Sequence, residues 1–161
     1  MKKYGLIILM FCICTSTYGQ SISFFDLTNL TNLSDGQAHT YLTLGNTFKR
    51  QYLEEKDGKT IEHFRSISTK VKEQSIVIGE HVKLSNGTLL RTVKYDTRDP
   101  QHIVNLIAQA RRAKLVMKFQ GQDADNNIYK FDNEFYFITM LISTTENKGS
   151  VEVTQKEFVG Y

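Results

Sequence analysis

Asn86-Gly87 lies between two runs of alternating apolar residues, and this constrains the fold more than any other feature of the chain. Ile76, Ile78, Val82 and Leu84 share a period of two before the pair, and residues 88–95 read as the return strand. Such alternation sends successive side chains to opposite faces of a strand. Asn-Gly is favoured where a chain reverses in a tight hairpin. An antiparallel sheet follows. A second reversal, Lys56-Asp57-Gly58-Lys59, joins strands predicted over 47–53 and 60–67.

Helical spacing appears in three places. Phe24, Leu27, Leu30 and Leu33 recur every third residue, which predicts a short helix or 3₁₀ stretch over 22–33. Ser34 or Asp35 reads as a cap, followed by a stripe of Ala38, Tyr41 and Leu42 that Gly45-Asn46 ends. Asp99-Pro100 opens the most strongly patterned helix, with Ile103, Leu106, Ile107 and Ala110 at i, i+3, i+4 and i+7. Arg111, Arg112 and Lys114 near its end complement the helix dipole. Strands are predicted again over 115–121, 128–131, 135–142 and 150–158. The run 135–142 is apolar at almost every position, which predicts a central strand buried on both faces.

The order helix, strand, turn, strand, strand thus occurs from about residue 35 and again from about residue 99. Phe48-Lys49-x-Gln51 parallels Met117-Lys118-x-Gln120, and Ile61-x-x-Phe64 parallels Ile128-x-x-Phe131. The expected fold is α+β, with two tandem helix-plus-antiparallel-strand units (about 35–96 and 99–158) forming one sheet with both helices on one face. This layout resembles the tandem helix-plus-sheet repeats of beta-lactamase inhibitor protein and of many small exported bacterial proteins. The resemblance implies a concave sheet face that grips another protein.

The first residues read as an address rather than as structure. Lys2 and Lys3 precede an uncharged run from Leu6 to Ile13, and small residues Thr17 and Gly19 precede Gln20. This is the pattern of a secretory signal peptide over residues 1–19, followed by a single domain over 20–161. Cys12 follows Phe11 and Cys14 follows Ile13, neither the small residue a lipoprotein peptidase requires, so the expectation is export to the periplasm or beyond without a lipid anchor. No later apolar stretch approaches the ~20 residues of a spanning helix.

Cleavage would change the composition decisively. The whole chain has 161 residues and a formal charge of +3. Removing the signal takes Lys2, Lys3 and both cysteines, leaving 18 basic residues against 17 acidic ones. A nearly neutral chain lacks the surplus charge that phosphate backbones attract, so nucleic acid is not an expected partner. A cysteine-free chain performs no thiol chemistry.

Catalytic motifs are equally sparse. His39, His63, His81 and His102 form no metalloprotease array. Glu62-His63 and Glu80-His81 are neighbours on strands and point to opposite faces, though His63 and His81 are candidates to meet across strands. No Gly-x-Ser-x-Gly, Gly-x-Gly-x-x-Gly or phosphate loop occurs. Asp123, Asp125, Asn127 and Glu134 stand at ligand positions one, three, five and twelve of a calcium loop, but Ile128 replaces its glycine and no helices flank it. A polar hairpin turn is the expected reading, and no cofactor is expected. Tyr52, Tyr95, Tyr129 and Tyr136 are expected as exposed sheet residues able to anchor a protein partner. The function expected is therefore that of an exported, non-enzymatic protein-binding module. The alternative is a carrier of a small apolar ligand held between sheet and helices.

Overall fold

The computed structural model describes residues 22–69 and 72–157. The expected signal peptide over 1–19, the cut before Gln20 and the end of the strand expected over 150–158 lie outside the described residues. Among those described, three helices and eight strands follow one another. Helices α1 (Phe24–Asn32) and α2 (Asp35–Leu44) precede strands β1 (Phe48–Lys56), β2 (Lys59–Ser66), β3 (Gln74–Lys83) and β4 (Leu89–Thr97). Helix α3 (Pro100–Arg112) precedes β5 (Val116–Gln122), β6 (Asn126–Asp132), β7 (Tyr136–Ser143) and β8 (Gly149–Gln155). The α+β class holds, as a single antiparallel sheet ordered β1-β2-β3-β4-β8-β7-β6-β5. Each set of four is a meander, and β4 meets β8 at the centre.

Local chemistry explains the helix starts. Ser23 caps α1 by accepting a hydrogen bond from the Asp26 amide, while the Ser23 amide donates to the Asp26 carboxylate at 2.8 Å. Tyr41 of α2 also donates to that carboxylate, tying the two helices together. Burial opposes ionisation of Asp26, yet the hydrogen bonds from Ser23 and Tyr41 outweigh it and hold its pKa below the ordinary value. Ser34 opens α2, with its amide donating to Gln37 at 3.0 Å. Asp99 occupies the N-cap position of α3, but its carboxylate pairs with Lys72 at 3.2 Å instead of capping. Pro100 supplies the preset start.

Register divides the sheet into two sides. On the inner side, Phe64 aligns with Ile76, Tyr95, Val151 and Met140, and the next row joins Val93, Val153, Ile138 and Phe131. These residues form one buried cluster with Leu27, Leu30, Ala38, Leu42, Ile103, Leu106 and Ala110 of the helices. α1 packs on β4 and β8, α2 on β1 and β3, and α3 on β7 and β8. Gly149 permits the last contact, because a Cβ there would press on Ile103 and on the Leu141 carbonyl oxygen.

Gly79 solves a second close approach. It has φ of +96° where β3 shifts register, and a Cβ would collide with the backbone of Thr60 and Ile61. The edge strands also carry irregularities, between Arg50 and Tyr52 on β1 and between Met117 and Phe119 on β5. Bulged edges are poor templates for another strand.

The strand expected over 135–142 corrects one expectation. In β7 the burial alternates: Ile138 and Met140 are buried, while Phe137 is 55% exposed. Continuous apolarity came from two differently used faces, only one of which contributes to the buried cluster. No helix of the described residues is long and apolar enough to cross a membrane.

Candidate binding surface

The outer side of the sheet contributes nothing to the main buried cluster. One row runs from His63 through Val77, Lys94, Glu152, Thr139 and Lys130 to Phe119. A second runs from Thr92 through Thr154, Phe137 and Asp132 to Val116. Strand alternation places these side chains together because their inner-facing neighbours fill the core.

The β1–β4 part of this surface is organised by polar pairs. Tyr52 stacks on His63 with centroids 4.1 Å apart, and the His63 Nε2 lies 2.9 Å from Glu54. Lys94 pairs with Glu80 at 2.7 Å and Arg65 with Glu73 at 2.8 Å. The β5–β7 part is organised by rings. Phe119 is 47% exposed and Phe137 55%, with Val116 exposed beside them. The Lys156 ammonium sits 4.2 Å from the Phe137 ring centroid and also pairs with Asp132, while Lys130 lies 5.9 Å from that of Phe119.

Between these parts, a cleft of about 300 Å³ opens where β3, β4, β7 and β8 end. Ser75, Asp96, Leu141 and Ser150 line it together with Arg98 and Lys148. A smaller depression of about 190 Å³ continues it along β4 and β8 past Lys94 and Glu152. Asp96 is exposed in area, but crowding by the surrounding strands desolvates its carboxyl and raises its pKa against the opposing influence of Lys94 and Lys148.

The four tyrosines expected on an exposed sheet surface divide three to one. Tyr52 is exposed on the outer side. Tyr95 is wholly buried, with its hydroxyl 2.6 Å from His102 Nδ1, and burial raises its pKa. Tyr129 aligns with Met140 and packs against the core. Tyr136 also packs there, and its hydroxyl accepts from Asn32 at 2.5 Å. The exposure expectation is thus corrected for Tyr95, Tyr129 and Tyr136, because their strand parity matches Ile138 rather than Phe137. Alternation within β7 puts Phe137 opposite in sense to Ile138 and Met140, whereas Phe119 follows the register shift of β5, where a simple count from Met117 fails. Asp96 gave no signal, since its surroundings come from three other strands.

The calcium-loop spacing does not become a cluster. Asp123 accepts hydrogen bonds from the amides of Asp125 and Asn126 at 2.9 and 2.6 Å, and these lower its pKa. Asp125 follows in the same β5–β6 turn and Asn127 sits in β6 opposite Gln122, whereas Glu134 lies beyond the far end of β6. A seven-residue strand spans roughly 23 Å, so these four residues do not converge. Among the described residues, no group of three or more His, Cys, Asp or Glu is placed to hold a metal. His63 and His81 also fail to meet. His63 aligns with Val77, while the His81 carbonyl accepts from Lys59. Glu62 turns inward to His39 at 2.7 Å, separated from its neighbour His63 as strand alternation requires.

His102 is the most enclosed titratable group of the helices. Its Nε2 donates to the Ile22 carbonyl at 2.9 Å and its Nδ1 accepts from Tyr95, an arrangement that needs the neutral ring. Burial lowers its pKa, with the Ile22 hydrogen bond and Asp99 acting in the other direction. Both nitrogens are used for anchoring, so this histidine joins α3 to β4 and to the start of the described chain. No protein-family model, curated protein or solved structure matches the chain.

Proposed function

We propose that this chain is an exported, non-enzymatic binding protein that contacts another protein through the outer side of its sheet, in the manner of an inhibitor, immunity factor or envelope adaptor. Two tandem units, about 35–96 and 99–158, place their helices on the inner side and leave the outer side free. The observation that carries this reading is that Phe119, Phe137 and Val116, on β5 and β7, are all about half exposed on the outer side of the same end of the sheet. Exposed aromatic side chains gathered on one surface supply the anchors from which protein interfaces gain most of their energy. Export rests on the amino-terminal pattern of the sequence.

A second reading, a carrier of a small apolar ligand, draws on a different feature. A groove of about 320 Å³ lies between α1 and α3, lined by Phe24, Phe25, Leu115 and Tyr136 among others. That is near the lower bound of small-molecule sites, ~300–1,000 Å³. Capture from an envelope extract followed by mass spectrometry separates the two. The binding reading expects one stoichiometric protein with the wild type, lost with Phe119→Ser/Phe137→Ser and kept with Phe25→Ser. A lipid or metabolite lost with Phe25→Ser, and no stoichiometric protein, would overturn it.

A further inference from the structure

We infer that the cleft at the Asp96 end of the outer side is a binding site for a small zwitterion of the amino-acid or dipeptide class, with Asp96 receiving its ammonium and Arg98 its carboxylate. The cleft measures about 300 Å³ and is open to solvent, which suits a ligand of this size. The pairing pattern of its charges selects the chemistry. Glu73 is turned to Arg65 at 2.8 Å, Lys94 to Glu80 at 2.7 Å, and Lys148 to Glu146 at 3.1 Å. Asp96 and Arg98 remain, and among the described residues neither side chain has a hydrogen-bond or ion-pair partner.

These two residues have opposite charge and stand two positions apart at the end of β4, lining the same cleft. Asp96 lies in β4 and Arg98 one residue beyond its end, so at ~3.3 Å per residue their side chains start roughly 7 Å apart along the chain. They do not pair with each other. A ligand carrying both charges would bridge that gap. Ser75 and Ser150, aligned with Asp96 on β3 and β8, flank the acid with hydroxyls, and Leu141 gives the cleft an apolar wall. The crowding that makes ionised Asp96 costly in the free protein would be offset by a bound ammonium, a pattern common at binding sites.

The site shares the outer side with the protein-binding surface but does not depend on it. Nuclear magnetic resonance titration of the protein with the free amino acids and with glycylglycine tests it. Saturable shifts are expected for at least one zwitterion at the backbone amides of Asp96, Arg98 and Ser150. Acetylating that ligand's amine, or amidating its carboxylate, should weaken binding about tenfold or more, as expected for losing a charge-assisted hydrogen bond. Asp96→Asn and Arg98→Gln should each do the same with unchanged melting temperature or a small rise, whereas Phe119→Ser/Phe137→Ser should bind normally. Absence of saturable shifts across the panel, or equal binding of the blocked ligands, would overturn the inference and leave the protein-binding reading untouched.

Discussion

The β1–β4 and β5–β8 meanders meet antiparallel at β4 and β8, so their corresponding strands run in opposite directions, and they present different outer surfaces. In the first, the outer side carries polar pairs such as Glu54–His63 and Lys94–Glu80 beside an exposed Tyr52. In the second, Phe119, Phe137 and Val116 stand exposed beneath lysines that only partly cover them. Their inner sides are alike, with Phe64 and Phe131 each wholly or almost wholly buried. Inner residues are held by packing, which both halves need equally, whereas outer residues are free to diverge. Surface pairs contribute little to stability, and exposed rings contribute less than buried ones, so the outer side can differ between the halves at little cost to the fold.

The sharpest way to break this comparison is to truncate rings on the two sides. Phe64→Ala and Phe131→Ala should each cost about 3–5 kcal/mol, read as a fall in the urea midpoint at unchanged slope. Phe137→Ala and Phe119→Ala should cost about 1 kcal/mol or less, the scale of a cation–π contact at an exposed site. Equal losses on both sides would contradict the two-sided description. Gly79→Ala comes next, with an expected loss of about 1–3 kcal/mol, because strain at positive φ combines with the collision against Thr60. Gly58→Ala also takes positive φ but meets nothing within 4 Å, so its loss should be smaller, about 1 kcal/mol.

His102 and Asp96, shifted in opposite directions, give pH dependences of opposite sign. His102 has a lowered pKa in the fold, so the unfolded chain takes up its proton first as pH falls. Its contribution is complete above the ordinary histidine value of 6.5 and is lost as pH drops through the window below it. Thermal melts from pH 7.5 to 5 should show falling stability, with a shallower slope in His102→Gln. Asp96 has a raised pKa, so the fold loses stability as pH rises through the window above 3.8. Asp96→Asn should therefore raise the melting temperature slightly at neutral pH, an advantage that fades towards pH 3.8. This is the smallest expected effect, since water still reaches the carboxylate.

Much of the fold was legible because its signals were local. Asp57-Gly58 and Asn86-Gly87 turn the chain as expected, with positive φ at Asp57, Gly58 and Gly87. Pro100 and the apolar stripe through Ala110 fix α3, and Ser34 starts α2. What the sequence hid was set by distant partners. The apolar run in β7 gave no sign that only one of its faces joins the core. Tyr95 reads as a surface tyrosine from its strand alone, but His102, on a different element, accepts its hydroxyl hydrogen. Asp99 had the chemistry of a cap, but Lys72 competes for its carboxylate. The candidate surface was legible at Tyr52 and missed at Phe119 and Phe137, where apolar character was equated with burial.

Hydrogen–deuterium exchange of the chain with and without its captured partner tests the binding role of the outer side most directly. Protection is expected across β5 and β7, at 116–122 and 136–143, with little change in α1 or α3. Protection confined to the helices, with those strands unchanged, would contradict it.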